Sequence, residues 1–147
     1  MGFHKILCPV DFSAGSREAL RVAAGLARES GAALVLTHIW QAPLVGEFQF
    51  APLSIKNIVE SEQAELTTWI GLAKELGAPN VDARFLTGAP WDQIVKIAHD
   101  EPDLDLIVMG THGRTGIKHV LLGSVAEKVV RHAPCTVLVV RAESAKA

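Results

Sequence analysis

Leu106-Ile-Val-Met-Gly110-Thr-His-Gly-Arg-Thr-Gly-Ile-Lys-His-Val-Leu-Leu-Gly-Ser-Val125 is the stretch from which the rest of the chain can be read. Its apolar opening, Leu106 to Met109, has the look of a buried strand and runs straight into glycines. Gly110, Gly113 and Gly116 are spaced by threes, and a further glycine, Gly123, precedes Ser124. Ser124-Val-Ala-Glu127 has the pattern of a capping box, a hydroxyl at a helix start with Glu three residues on. The order is therefore strand, glycine-rich loop, helix N-terminus. Glycine lets the backbone take positive φ and lets a ligand approach closely, and a helix start offers unpaired N–H groups at the positive end of a dipole. Together they predict an anion site, a phosphate above all. Arg114 and Lys118 add cations, with His112 and His119 nearby. A plain glycine turn with a solvated basic face is the competing reading; strand, glycines, cap and cations in one window favour phosphate. The loop is neither G-x-x-x-x-G-K-[ST] nor G-x-G-x-x-G.

Outward from this stretch, apolar runs and helical patterns alternate. His4 to Val10 reads as a first strand ending at Pro9-Val10-Asp11, with Ser13 as N-cap of a helix whose inner face is Leu20, Ala23, Ala24 and Ala27. Ser30-Gly31 ends it, and Ala33 to Ile39 is a nearly continuous apolar strand. Trp40 to Ser54, with Pro43, Gly46 and Pro52, is the least regular region: a loose connection, a flap over a ligand or a partner surface. A helix is predicted from about Ile55 to Leu76, with Glu60, Glu62, Glu65, Lys74 and Glu75 on its wet face. Val81 to Thr87 alternates as a half-buried strand near an edge, and Pro90 opens a helix with Ile94, Ile97 and Ala98 inward. Asp103 to Met109 is a fourth strand, Ser124 to His132 a fourth helix and Thr136 to Val140 a fifth strand. The expected fold is α/β: one open, doubly wound five-stranded parallel sheet with helices on both faces, Rossmann- or flavodoxin-like. Residues 1–147 are expected to form one domain, with a core from about 3 to 141 and a flexible tail at 142–147. Ligands of such sheets bind at the carboxyl ends of strands, at the switch point. Asp11, Ile39 and Gly110 all fall there, so fold and motif predict the same crevice.

The composition bounds the partners. A net charge of −2, with no basic stripe, argues against nucleic-acid binding. No signal peptide or membrane span is expected, since Ile6 to Val10 is too short for an h-region and no apolar run could cross a bilayer. Cys8 and Cys135 lie in apolar surroundings and read as buried, reduced thiols, which points to the cytoplasm. The histidines are dispersed, without His-x3-His or Cys-x2-Cys, so metal binding by side chains is not expected. No positioned nucleophile or metal-holding carboxylate is visible in the crevice: Asp103 and Asp105 begin the fourth strand, and Asp92 is ordinary at a helix start.

Gly110-x2-Gly113-x9-Gly123-Ser124 resembles the nucleotide-binding signature of the universal stress protein family, in residue type and in spacing. The resemblance extends to Ile6-Leu-Cys-Pro-Val-Asp11-Phe-Ser13, to Thr37-His38-Ile39 and to Pro134-Cys-Thr-Val-Leu-Val-Val140. It implies a fold like that of the adenine nucleotide alpha hydrolases and an ATP-binding stress-response dimer, with or without Mg²⁺ and with at most slow hydrolysis. It implies that Pro9, Val10 and Asp11 contact adenine and ribose, that Ile39 and Met109 hold the nucleoside, and that Gly110, Gly113, Gly123, Ser124 and Val125 hold ribose and phosphates. Thr111, His112 and Arg114 fill variable positions of the signature, where a phosphate role rests on proximity. From the residues alone Asp11 could equally cap the first helix, and Ser124 could be a plain N-cap. Related adenylating and pyrophosphatase enzymes carry a Ser-Gly-Gly-x-Asp-Ser type loop where this chain has Val10-Asp-Phe-Ser-Ala-Gly-Ser16. The resemblance further implies a homodimer through Thr136 to Val140, an apolar edge strand otherwise open to unwanted pairing. The alternatives are a nucleotide-independent dimeric interaction module, a binder of AMP or cyclic AMP, and a slow ATPase.

Overall fold

A computed structural model of the protein describes residues 2–42, 52–112 and 122–142. In chain order the elements are β1 (Lys5–Pro9), α1 (Ala14–Ser30), β2 (Ala33–Trp40), α2 (Pro52–Glu75), β3 (Asn80–Thr87), α3 (Pro90–Asp100), β4 (Leu106–Gly110), α4 (Ser124–His132) and β5 (Thr136–Val140). The strands form one parallel sheet in the order β3-β2-β1-β4-β5. Strand alternation divides its side chains between two cores. Ile6, Cys8, Leu34, Leu36, Leu106 and Val108 pack with α1 and α2, while Leu7, Val35, Ile39, Ile107 and Met109 pack with α3 and α4. Parallel strands covered on both faces read as continuous apolar runs, which is why β1, β2 and β4 stand out in the sequence.

Local chemistry sets the element ends. The Ser16 N–H donates to Ser13 Oγ at 3.1 Å, capping α1. Gly31 closes that helix at φ 69, a left-handed turn that glycine takes without steric cost. Ala19, Ala23, Ala24 and Ala27 bury completely, so α1 can lie close to the sheet. Pro90 takes the first position of α3 as expected. Pro52 begins α2, about one turn earlier than the predicted start near Ile55. Proline suits that place because its fixed φ is helical and the missing N–H would be unpaired there anyway. The structure begins β4 at Leu106 and extends β2 to Trp40.

Two expectations are corrected. Glu62 is not on a fully wet face: its side chain is 15% exposed and meets His38 beneath α2. Cys8 is fully buried, and burial pushes its thiol up to about 12, but Cys135, just before β5, is only half-buried. Both cysteines are free thiols.

An ion cluster gathers around Glu101, between α3 and β4. Arg84 forks onto Glu101, with Nη2 at 2.8 Å from Oε1, and Lys5 Nζ lies 2.5 Å from the same oxygen. The Arg84 hydrogen bonds, opposed by burial and aided by Lys5, hold the Glu101 carboxyl down at about 2. Asp105 accepts from the backbone N–H of His4 at 2.9 Å, so the acidic residues before β4 work at the end of the sheet opposite the crevice.

Candidate functional site

Strand order reverses between β1 and β4. The chain leaving β1 enters α1 on one face and the chain leaving β4 heads for α4 on the other, so a crevice opens between them. Pro9 ends β1, Ile39 is the penultimate residue of β2, and Met109 and Gly110 end β4, followed by Thr111 and His112. Gly123, Ser124 and Val125 form the start of α4. Gly113 and Arg114, with Lys118 and His119, lie outside the described residues.

Backbone contacts tie these ends together. A Cβ built on Gly110 would lie 2.9 Å from the carbonyl carbon of Gly15, and one on Gly15 would lie 3.0 Å from His112 O. The first turn of α1 therefore rests directly on the end of β4, with no room for a methyl group on Gly110. The Gly123 N–H donates to Thr111 O at 2.7 Å, and the Thr111 N–H donates to Val140 O at 3.1 Å. The first bond holds the N-terminus of α4 against the end of β4. A Cβ on Gly123 would stand 3.0 Å from the same Thr111 oxygen.

The capping box read from the sequence does not form. Gly123, not Ser124, is the N-cap of α4, with no side-chain cap hydrogen bond, and Ser124 is the first helical residue. The close approach to Thr111 O leaves little space for a side chain at the cap position, and the hydroxyl falls one residue inside the helix. The Ser124 side chain is exposed and does not cap the helix.

The β1–α1 loop is tightly wired. The Val10 N–H donates to Thr37 O at 2.8 Å, continuing the β1–β2 ladder. Asp11 is not the N-cap of α1; Ser13 is. Asp11 Oδ1 accepts from the Ser13 N–H at 3.0 Å and from the Ser16 hydroxyl at 2.6 Å, while the Asp11 N–H donates to Ser16 Oγ at 2.9 Å. The carboxylate is thus oriented by the helix start it precedes. Between Asp11 and Ser13, Phe12 adopts φ 67, a left-handed conformation costly for a bulky residue. The Phe12 ring stacks on His38 with centroids 4.4 Å apart and meets Trp69 edge-on at 5.4 Å.

Sequence reasoning passed over Gly15, Ser16, Phe12 and the side chain of His38. A glycine at the second position of a helix, where alanine would be the better former, was the signal available for Gly15. Phe12 carries no such signal, since its backbone is set by packing and not by its type.

The family model for the universal stress protein family matches residues 2–141. The chain belongs to the universal stress protein family. A universal stress protein of Methanocaldococcus jannaschii is 37% identical over 143 residues, which cover 95% of this chain and 82% of the relative. Among solved structures, the universal stress protein UspA of Lactobacillus plantarum has a TM-score of 0.85 at 26% identity, covering 96% of this chain and 99% of that one. A universal stress protein solved in complex with cAMP has a TM-score of 0.72 at 30% identity, covering 97% of this chain and 100% of its own. One from Archaeoglobus fulgidus in complex with dAMP has a TM-score of 0.65 at 27% identity, covering 95% and 98%. The parallel sheet and its helices match the fold of these universal stress proteins. Among the described residues no helix is long and apolar enough to cross a membrane.

Proposed function

We propose that this universal stress protein binds an adenine nucleotide, ATP in the leading reading, in the crevice between β1 and β4. The observation that carries the proposal is the α4 N-terminus, capped by a glycine and held at the carboxyl end of β4 by the Gly123–Thr111 bond. Such a terminus offers backbone N–H groups and a positive dipole end to phosphate. Pro9, Val10 and Asp11 with Ile39 and Met109 form the adenosine end; Gly110, Gly123, Ser124 and Val125, with Thr111, His112, Gly113 and Arg114, form the phosphate end. Among the described residues no cluster of three or more His, Cys, Asp or Glu side chains could cage a metal ion. The protein acts as a cytoplasmic stress-response dimer joined through β5, whose Leu138 is exposed on the sheet edge, and turns ATP over slowly at most.

Complexes of related universal stress proteins with cAMP and dAMP favour a second reading, in which a nucleoside monophosphate is the physiological ligand. One experiment tests both. Freshly purified protein is denatured, and the released small molecules are separated by ion exchange with mass detection. A near-stoichiometric ATP peak supports the first reading, and an AMP or cyclic AMP peak the second. Empty protein that gives no calorimetric heat with any of these nucleotides would overturn both in favour of a nucleotide-independent interaction module.

A further inference from the structure

We infer that His38 is a positioning residue for the adenosine end of this site, acting through the Val10 carbonyl and Phe12; the inference rests on the nucleotide reading above. His38 is 4% exposed on the face of β2 under α2. Its Nδ1 lies 2.8 Å from Val10 O. A carbonyl can only accept, so the ring donates through Nδ1–H, and Nε2 is the atom turned away. Nε2 stands 3.4 Å from Glu62 Oε2 of α2, in ion-pair range but without hydrogen-bond geometry among the described residues. One face of the ring carries Phe12 at 4.4 Å, and Phe85 of β3 lies tilted at 5.5 Å.

These contacts converge on the loop that most needs support. Phe12 sits at φ 67, and a bulky side chain persists there only where its surroundings over-determine it. His38 supplies two of those restraints, the bond to the residue two positions earlier and the stacked ring. The strained turn in turn sets where Asp11 points. A histidine in an apolar core could instead be a filler with satisfied nitrogens, but this one spends its donor on Val10, one of the residues assigned to the base and ribose. The link runs from α2 through Glu62 and His38 to Val10, so α2 supports the loop through this chain of contacts.

The test uses calorimetric binding of AMP and of ATP to the full-length protein and to His38→Leu, His38→Asn and Glu62→Gln, each with its melting temperature. Asparagine can place an N–H near the position of Nδ1, whereas leucine cannot. His38→Leu is expected to weaken AMP and ATP by the same factor, about tenfold, the equivalent of one lost hydrogen bond. An equal factor marks the adenosine end, because damage to the phosphate end would penalise ATP more. His38→Asn is expected to recover most of the affinity, even where its melting temperature stays as low as that of the leucine variant. If His38→Leu does not fold, His38→Gln, whose longer side chain carries its N–H away from the Nδ1 position, takes its place. Affinity kept in His38→Asn and lowered in that variant supports the inference. Equal loss in both variants, or a loss confined to ATP, overturns it. Wild-type affinity in a folded His38→Leu also overturns it and leaves the nucleotide reading intact. Absence of binding by the wild type refutes the nucleotide reading itself.

Discussion

Replacing Gly110 with alanine tests the contact on which the crevice is built. The added Cβ would lie 2.9 Å from Gly15 C and 3.0 Å from Gly15 O, 0.5 Å inside the 3.4 Å at which ordinary contact begins. Both neighbours are backbone atoms at the start of α1, so no side chain can swing aside. Gly110 has no positive φ, so alanine suffers no backbone strain and the whole effect is one of space. Overpacking of this kind costs about 1–3 kcal/mol, which for a domain of this size lowers Tm by roughly 3–10 °C. Gly15→Ala is the built-in control. Its Cβ meets one oxygen, His112 O, at 3.0 Å. Alanine also gains roughly 0.5–1 kcal/mol over glycine within a helix, so this variant should melt close to wild type. Because Gly110→Ala forces β4 and α1 apart at the crevice, nucleotide affinity should fall at least about tenfold, a loss of 1.4 kcal/mol or more. Thermal unfolding and calorimetric titration read the two effects. A Gly110→Ala protein that melted within about 1 °C of wild type and bound normally would refute the close contact and the reasoning built on it.

Other perturbations probe separate parts of the structure. Gly123→Val puts a branched side chain against Thr111 O and should abolish nucleotide binding while the protein still folds, as circular dichroism and titration would report. The Glu101 carboxyl is held at about 2, below the ordinary glutamate value of about 4.5. A depressed acid stabilises the fold above its unfolded pKa and loses that contribution as pH falls, here between about 4.5 and 2. The loss is up to about 3 kcal/mol, and urea unfolding at neutral and acid pH should show a shallower acid dependence in Glu101→Gln. Cys8 is fully buried with its thiol pushed up to about 12, whereas Cys135 is half-buried with a smaller upward shift from burial. Iodoacetamide should therefore modify Cys135 first and reach Cys8 only after denaturation; peptide mass mapping would detect the reverse order.

What could be read from the residues was what depends on local periodicity and on end signals. The apolar runs of β1, β2 and β4, the weak alternation of edge strand β3, Pro90 at its helix start and Gly31 at its helix end each declare themselves within a few residues. The crevice followed because the fold and the glycine pattern point to the same carboxyl ends. What escaped depends on neighbours distant in sequence. Ser124 has the residue pattern of a cap, yet Thr111 O reaches Gly123 and takes that position. Glu62 looks like one more charge on a wet helix until β2 places His38 beneath it. Phe12 is held left-handed by His38 and Trp69, on two different elements, and no local rule anticipates that.

The bond from Gly123 to Thr111 has a consequence for how the chain can change over time. It joins the two ends of residues 112–122 as a clasp joins a necklace. The bond is made by backbone atoms alone, so it asks nothing of a side chain and persists through changes of residue type that leave room at Gly123. Substitutions elsewhere in the chain can therefore accumulate without loosening this joint, so long as Gly123 and the backbone of Thr111 keep their places.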